Sequence, residues 1–377
     1  MTRQLVITAD SHAGPPREQY REYLDPEYRE EYDALVAHQT AGADAKEHQA
    51  AQHEEEFGGD LFSVEFGGRR GAWDHDLRIQ ELEALGIVAD VVFPDGQNEN
   101  PVPFHHTGGF SPEHEMAGAA AHNRWLAEFC ALAPERHAGV AMVPLHDIDW
   151  AVREIRAARD AGLRGGIFVS PWTGDALPFF HHPRYEPVWA TCAELDLPLN
   201  FHSAPEHPDY GDHPGSIPIF ATEVAWFSHR PLWFLLWSGV FERYPNLKMA
   251  LVEQSASWVP YTLGYLDSLY SRPYFAHFRE GLSLKPSEYW ARQCYVSGFL
   301  ERAEFDMRDH IGVASLCWGS DYPHVEGIAD PHENLPKVMG GAPDEDVSAV
   351  LGENAARLYG FDLDVLRPLA ERIGPAV

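Results

Sequence analysis

Short apolar runs alternate with longer amphipathic stretches along the whole chain. Most of the runs are rich in β-branched residues or continuously apolar, which is typical of strands buried on both faces of a parallel sheet. The stretches between them have helical periodicity, and several end in glycine or are followed by proline. The apolar runs lie at 4–9, 87–93, 137–143, 165–170, 197–201, 248–252, 293–299 and 313–319. Strands that alternate with helices in this number predict an α/β fold, the (β/α)8 TIM barrel.

One segment interrupts this alternation. Residues 13–75 are polar, rich in Glu, His and Gly, and separate the first strand from the helix that should follow it. Structureless loops of that length are uncommon in compact domains. We therefore expect a long insertion after the first strand, with short helices near 17–37 and 44–57, that lies over the barrel mouth like a lid. The residues from about 342 are predicted to form C-terminal helices that close a single domain spanning 1–377.

Composition and net charge indicate which partners and which cellular location to expect for the protein. The 377 residues are 45% hydrophobic, which is enough for one large core. The formal net charge of −30 would repel nucleic acid and anionic membranes, so neither is expected as a partner. The chain begins without a stretch that resembles a signal peptide, and no apolar run is long enough to span a bilayer. These features predict a cytoplasmic protein.

Metal-competent side chains follow four of the predicted strands. They are Asp10 and His12 after the first strand, His202 after the fifth, Glu253 after the sixth, and Asp321 and His324 after the eighth. Active sites of such barrels lie at the C-terminal ends of the strands, so these side chains should meet at one rim. Any single one of them is more often a hydrogen-bonded core residue than a metal ligand. The set as a whole predicts a metal centre.

The types of the candidate ligands indicate which metal ions the site could bind. Carboxylates combined with two imidazoles suit iron or manganese at least as well as zinc. A second metal ion would need further ligands, and Glu223, at the start of the helix after the fifth strand, is the nearest unassigned carboxylate. Its alternative explanation is a helix-terminal acid that the helix dipole stabilises.

The same motifs resemble the amidohydrolase-related superfamily, and within it the branch that contains aminocarboxymuconate-semialdehyde decarboxylase. The resemblance rests on Asp-Ser-His after the first strand, His after the fifth, Glu-x-x-x-x-Trp-x-Pro after the sixth and Gly-Ser-Asp-Tyr-Pro-His after the eighth. It extends from Gln4 to about Tyr359. It implies that Glu253 stands where the family has a general-acid histidine, so the usual proton donor is replaced.

A narrower resemblance points to one subgroup. The long insertion and the aromatic stretch 226–245 are similar to the TIM-barrel nonheme diiron oxygenases, which are typified by a diterpenoid hydroxylase of natural product biosynthesis. The resemblance implies a monooxygenase that hydroxylates a hydrophobic, CoA-linked, diterpenoid-like acyl substrate with dioxygen. Its partners would be an external electron donor and a second copy of the chain in a homodimer. Glu253 and Asp321 would be catalytic. The ligands of the two nonheme iron ions would be Asp10, His12, His202, Glu223, Glu253, Asp321 and His324.

Two other interpretations remain open. The first is a mononuclear zinc- or manganese-dependent hydrolase or decarboxylase of the same superfamily, in which the metal activates water or holds a carboxylate. The second is a binding protein with a degenerate site, which the complete set of strand-end ligands disfavours. Metal content distinguishes the oxygenase from the hydrolase or decarboxylase.

Overall fold

Parallel strands form the centre of the molecule. A computed structural model describes residues 3–41, 70–94, 102–105, 110–171, 177–203, 208–211, 213–324, 327–328 and 330–377. The strands in these ranges are β1 (Ile7–Ala13), β2 (Ala89–Pro94), β3 (His137–Gly139), β4 (Ala141–Met142), β5 (Ile167–Phe168), β6 (Leu199–His202), β7 (Met249–Val252), β8 (Cys294–Gly298) and β9 (Leu316–Trp318). Each overlaps one of the predicted apolar runs, and every strand residue is buried.

The strands pair in chain order, β1-β2-β3 in one sheet and β4-β5-β6-β7-β8-β9 in the other. Val140 alone separates β3 from β4, so these two segments are halves of one barrel strand. The Val140 amide donates to the Val92 carbonyl, and the Ala141 amide donates to the Gly166 carbonyl, both at 2.9 Å. The shared strand therefore joins the two sheets.

A second set of backbone hydrogen bonds closes the sheet between the last strand and the first. The Asp321 amide donates to the Asp10 carbonyl at 3.0 Å, and the His12 amide donates to the Tyr322 carbonyl at 2.7 Å. We call this junction the seam. With it, the strands complete a (β/α)8 barrel with a long insertion after β1, as predicted.

Helices surround the barrel because one stripe of each helix is apolar. In the helix Ile148–Asp160, Ala151, Ile155 and Ala158 are spaced for one face and are buried. The Asp147 side chain accepts a hydrogen bond from the Trp150 amide and caps this helix. The α-helices are α1 (Arg17–Tyr23), α2 (Arg29–Ala41), α3 (His75–Ala84), α4 (Pro112–Cys130), α5 (Ile148–Asp160), α6 (Glu186–Leu195), α7 (Ser216–Trp237), α8 (Val240–Arg243), α9 (Val259–Ser271), α10 (Pro286–Gln293), α11 (Arg302–Phe305), α12 (Arg308–Ile311), α13 (Pro331–Met339), α14 (Asp344–Ser348), α15 (Asn354–Tyr359) and α16 (Leu363–Ile373).

The inserted segment after β1 begins with α1 and α2. The segment near 17–37 forms two helices rather than one. A 3-10 turn at Pro26–Tyr28 separates them, because a residue before proline disfavours the helical conformation and Asp25 is extended. Tyr20 of α1 is buried, and its hydroxyl lies 2.9 Å from Nδ1 of His122 in α4. The predicted helix near 44–57 lies outside the described residues, and the lid over the mouth stays a prediction.

The two ends of the described chain lie side by side. The Gln4 amide donates to the Pro375 carbonyl at 2.9 Å, and Arg3 forms an antiparallel bridge with Ala376. Helices α14 to α16 precede this contact. Among the described helices, none combines the length and the apolarity that a bilayer-spanning segment requires.

Candidate metal centre

The first strand brings two potential ligands to the inner face of the barrel. Asp10 and His12 are both buried in β1, and residues two apart in a strand project from the same face. The register between β1 and β2 shifts between Thr8 and Ser11, which marks an irregularity at the ligand-bearing end. The Thr8 hydroxyl donates to the Asp10 carbonyl at 2.7 Å and supports this irregular stretch.

Side chains from three strand ends meet around His12. Its Nε2 lies 3.1 Å from Oδ1 of Asp321 and 3.5 Å from Oδ1 of Asp10. On the other side of Asp10, Nε2 of His202 lies 3.2 Å from the same Oδ1. All four residues are buried. The structure thus brings together the residues that the sequence placed after the first, fifth and eighth predicted strands.

The second nitrogen of each imidazole is held by a backbone carbonyl. Nδ1 of His12 lies 3.1 Å from the Pro94 carbonyl oxygen, and Nδ1 of His202 lies 2.9 Å from that of Ser203. A carbonyl can only accept, so we assign a hydrogen to both Nδ1 atoms, and the Nε2 atoms face the carboxylates. Histidine ligands of metals are held in the same way, with the non-ligating N–H donating to a carbonyl.

Several polar atoms of this cluster have no hydrogen bond among the described residues. They are Oδ2 of Asp10, Nε2 of His12 and both carboxylate oxygens of Asp321, and all of them are buried. Buried polar groups are normally satisfied, so such a group of atoms needs an explanation. Two carboxylates and two imidazoles form a donor set that a divalent ion satisfies. The residues present therefore fit a metal ion.

The electrostatics of the cluster also favour a positive charge. Burial alone lowers the pKa of His202, but Asp10 and Glu253 beside it raise that pKa to about 9. Burial raises the pKa of Asp321, but His324 and His12 hold it well below the usual range of a carboxyl group. The site thus stabilises two carboxylate anions and attracts a cation.

Glu253 and His324 lie beside different residues of the cluster. Oε2 of Glu253 lies 3.3 Å from Nδ1 of His202, and burial raises the pKa of this carboxyl to about 7. The His324 ring stacks on that of His12 with centroids 4.1 Å apart, and its Nδ1 lies 3.0 Å from Oδ1 of Asp321. Both side chains are partly exposed, at 17% and 16%.

Two overlapping groups of potential metal ligands are present in the described part of the chain. One contains Asp10, His12 and His202, and the other contains His12, Asp321 and His324; the ligand atoms of each group lie within 4.8 Å of one another. Neither group includes Glu253 or Glu223. Glu223 of α7 instead accepts a hydrogen bond from the Tyr210 hydroxyl at 2.9 Å. A metal-binding role for Glu223 or Glu253 stays a prediction.

Sequence reasoning missed a buried ion pair directly behind β1. Arg78 of α3 and Asp90 of β2 are both fully buried, and their side chains are 2.6 Å apart. Arg78 also donates to the His12 carbonyl at 2.8 Å. The signal in the sequence was the acid within the apolar run IVADVVF, because a buried carboxylate requires a cationic partner.

Comparison with known proteins identifies the family. A family model described as amidohydrolase matches residues 10–361. The chain belongs to the amidohydrolase family. This amidohydrolase is 27% identical over 270 residues to a gamma-resorcylate decarboxylase from Rhizobium sp. (strain MTP-10005), covering 66% of this chain and 76% of the relative. It is 23% identical over 305 residues to a 2-amino-3-carboxymuconate-6-semialdehyde decarboxylase from Dictyostelium discoideum, covering 77% of each.

The fold is similar to that of a solved decarboxylase. A crystal structure of 5-carboxyvanillate decarboxylase from Novosphingobium aromaticivorans, with bound manganese and 3-methoxy-4-hydroxy-5-nitrobenzoic acid, superposes with a TM-score of 0.65 at 21% identity. The alignment covers 95% of this chain and 97% of the other. That likeness is one of fold, and it agrees with the barrel that the strands of this chain form.

The comparisons confirm the superfamily and correct the subgroup. The prediction of a diiron monooxygenase, an oxidoreductase that hydroxylates a CoA-linked diterpenoid-like substrate, is wrong, because the relatives are named decarboxylases. The two-iron cofactor likewise finds no support in them. The error has a physical cause: a carboxylate-rich ligand set suits manganese as well as iron, so residue types alone do not select the reaction. The alternative, a metal-dependent decarboxylase, agrees better with the comparisons.

Proposed function

We propose that this amidohydrolase is a metal-dependent decarboxylase of a small, unsaturated carboxylic acid of the hydroxybenzoate or carboxymuconate kind. The observation that carries the proposal is the convergence of Asp10, His12, His202 and Asp321, with buried ligand atoms that lack hydrogen bonds. The decarboxylase names of the relatives supply the reaction class.

The four residues would hold one divalent ion, manganese or zinc, with His324 adjacent to it. When bound, the ion supplies positive charge that attracts the substrate's oxygen atoms and polarises them. The chain needs such a charge at the site, because a protein of net charge −30 repels an anionic acid at longer range.

Phenylalanines form an apolar wall beside the cluster. The Phe93 ring centroid lies 5.0 Å from that of His202 and 6.0 Å from that of His12, and the Phe168 ring lies 6.4 Å from His202. An apolar wall accommodates a planar substrate and keeps water away from the carboxylate. Loss of a charged carboxylate as neutral CO2 is favoured where water is excluded.

Glu253 is the acid best placed to transfer the proton. The bond between the substrate carbon and its carboxylate breaks, CO2 leaves, and the electron pair that remains on the carbon takes a proton. The Glu253 carboxyl belongs to neither group of potential metal ligands, lies 3.3 Å from His202 and is partly exposed. It therefore donates the proton to carbon and recovers one from solvent. In this proposal it performs the task of the histidine that the family resemblance leads one to expect at this position.

The test is an assay of CO2 release by the full-length protein supplied with Mn²⁺. Gamma-resorcylate and 5-carboxyvanillate are the first substrates to try, with benzoate as an unactivated control. We expect one CO2 for each acid consumed, at the same rate with and without oxygen. The variant H202A should lose activity and bound metal, whereas H310A, at an exposed position on α12, should retain both. Oxygen uptake coupled to substrate loss, or hydrolysis without CO2, contradicts the proposal.

A further inference from the structure

One buried arginine holds the ligand-bearing end of β1 from outside the barrel. Arg78 of α3 is completely buried, as is Asp90 of β2. The Nη2 and Nε atoms of Arg78 both donate to Oδ2 of Asp90, at 2.6 Å and 2.9 Å. The planar guanidinium is thus fixed in the layer between α3 and the sheet.

The remaining donors of Arg78 reach the strand that carries the ligands. Nη1 donates to the His12 carbonyl at 2.8 Å and to the Gly71 carbonyl at 3.2 Å, and Nη2 donates to the Ser11 hydroxyl at 2.8 Å. Together with the two bonds to Asp90, these use all five N–H donors of a guanidinium. Ser11 lies between Asp10 and His12, so Arg78 holds the backbone of the segment that presents both ligands.

Arg78 also contacts the other side of the seam. Its guanidinium carbon lies 5.0 Å from the ring centroid of Tyr322, the residue after Asp321. The Tyr322 hydroxyl donates a hydrogen bond to Glu81, which lies on α3 together with Arg78. A side chain at Gly71 would collide with that hydroxyl, so Tyr322 packs closely against the backbone at Gly71. Helix α3 therefore contacts both strand ends that meet at the seam.

We propose that Arg78 is a positioning residue of the metal centre. It sets the backbone of the first and last strands so that Asp10, His12 and Asp321 direct their ligand atoms at one ion. Arg78 acts through the His12 carbonyl, the Ser11 hydroxyl and the Tyr322 ring. The inference rests on the metal centre of the proposed function. Groups behind metal ligands typically change metal affinity by about 10- to 100-fold when they are replaced.

A purely structural role makes a different prediction. An ion pair that only attaches a helix to the barrel lowers stability when it is removed, but leaves the metal affinity of the folded protein unchanged. Arg136 provides a matched control for that role. It is 8% exposed, donates to the Val88 carbonyl at 2.8 Å and pairs with Glu83 at 2.7 Å, at the opposite end of β2 from the ligands.

The experiment measures Mn²⁺ affinity and thermal stability on the same samples of chelator-treated, full-length protein. R78K keeps the charge but has fewer donors. The double variant R78M/D90N removes both buried charges and so avoids an unpaired carboxylate. S11A keeps the ion pair and removes one contact to β1. Free Mn²⁺ is measured by electron paramagnetic resonance, and the melting temperature by circular dichroism.

We expect R78K and R78M/D90N to raise the Kd for Mn²⁺ by about 10- to 100-fold, S11A to raise it by a smaller factor, and R136K to leave it within about twofold. A Kd in R78K and S11A that matches the unmodified protein, or an equal rise in R136K, overturns the proposal. If the double variant does not fold, R78K and S11A decide the question. Failure of the unmodified protein to bind either Mn²⁺ or Zn²⁺ contradicts the metal centre itself, whereas normal binding in every variant contradicts only the role of Arg78.

Discussion

At the scale of single residues, two acids of the site adopt a backbone conformation that disfavours most side chains. Glu253 and Asp321 have φ angles of 56° and 57°, in the left-handed region. Such a conformation costs about 1–3 kcal/mol and persists where the surroundings enforce it. The Ser203 hydroxyl donates to the Glu253 carbonyl at 2.7 Å, and the Asp321 amide donates to the Asp10 carbonyl at 3.0 Å. Neighbouring strand ends thus hold both acids against the cluster.

The substitution E253Q isolates the proposed proton transfer. Glutamine keeps the shape of glutamate but cannot give up and recover a proton at this position. We expect kcat for decarboxylation to fall by about 10²- to 10⁴-fold, with little change in KM and full retention of bound Mn²⁺. Steady-state kinetics and metal analysis check this, with the exposed substitution E333Q as control. Retained kcat excludes Glu253 as the proton donor, and lost metal makes it a ligand instead.

At the scale of elements, a short helix fixes the loop that follows β7. Oε1 of Glu304 in α11 accepts hydrogen bonds from the Ala256 amide at 2.9 Å and the Ser257 amide at 3.2 Å, and from the Ser255 hydroxyl. Glu304 is buried, so these bonds are shielded from water. The loop begins directly after Glu253, so α11 anchors the segment that follows the proposed proton donor.

The substitution E304A removes this anchor. Hydrogen bonds to charged groups contribute about 1.5–3 kcal/mol each, and the loop amides would lose their acceptor. We expect the free energy of unfolding to fall by about 2–4 kcal/mol and kcat to fall as well. E304Q retains an acceptor and should lose less. Urea titration of the two variants measures the free energy of unfolding, and steady-state kinetics measures kcat. E371A, on the exposed face of α16, is the control. An unfolding free energy equal to that of the control shows that the loop is held by other contacts.

At the scale of the whole molecule, the candidate metal connects parts of the chain that are far apart in sequence. Its ligands come from β1, from the end of β6 and from the segment after β9, on both sides of the seam. Asp10 and Asp321 are buried carboxylates that both lie against Nε2 of His12, and a bound cation would offset their negative charge. Metal binding should therefore stabilise the closed barrel as well as enable the reaction.

Removal of the metal should accordingly lower the melting temperature. An ion at about 100 times its Kd contributes about 2.7 kcal/mol to the folded state. We expect chelator treatment to lower the transition measured by differential scanning calorimetry, Mn²⁺ to restore it, and H202A to respond to neither. Equal transitions with and without metal in the unmodified protein would show that the barrel closes independently of the ion.

The sequence by itself determined the barrel and the residues at its rim. Apolar runs and amphipathic stretches report burial along the chain, and parallel strands carry their C-terminal ends to a common edge. The positions of Asp10, His12, His202 and Asp321 therefore followed from local pattern alone. The resemblance of the motifs around them identified the superfamily.

The tertiary structure decided which of the candidates actually meet. Arg78 reaches the His12 carbonyl across 66 positions in the chain, and Glu223 accepts a hydrogen bond from the Tyr210 hydroxyl. Such contacts depend on how α3 and α7 pack, which no local pattern encodes. The reaction also lay beyond the sequence pattern, because oxygenases and decarboxylases use the same ligand types. The proposed function adds a proton donor, Glu253, and its position beside His202 is a property of the folded chain.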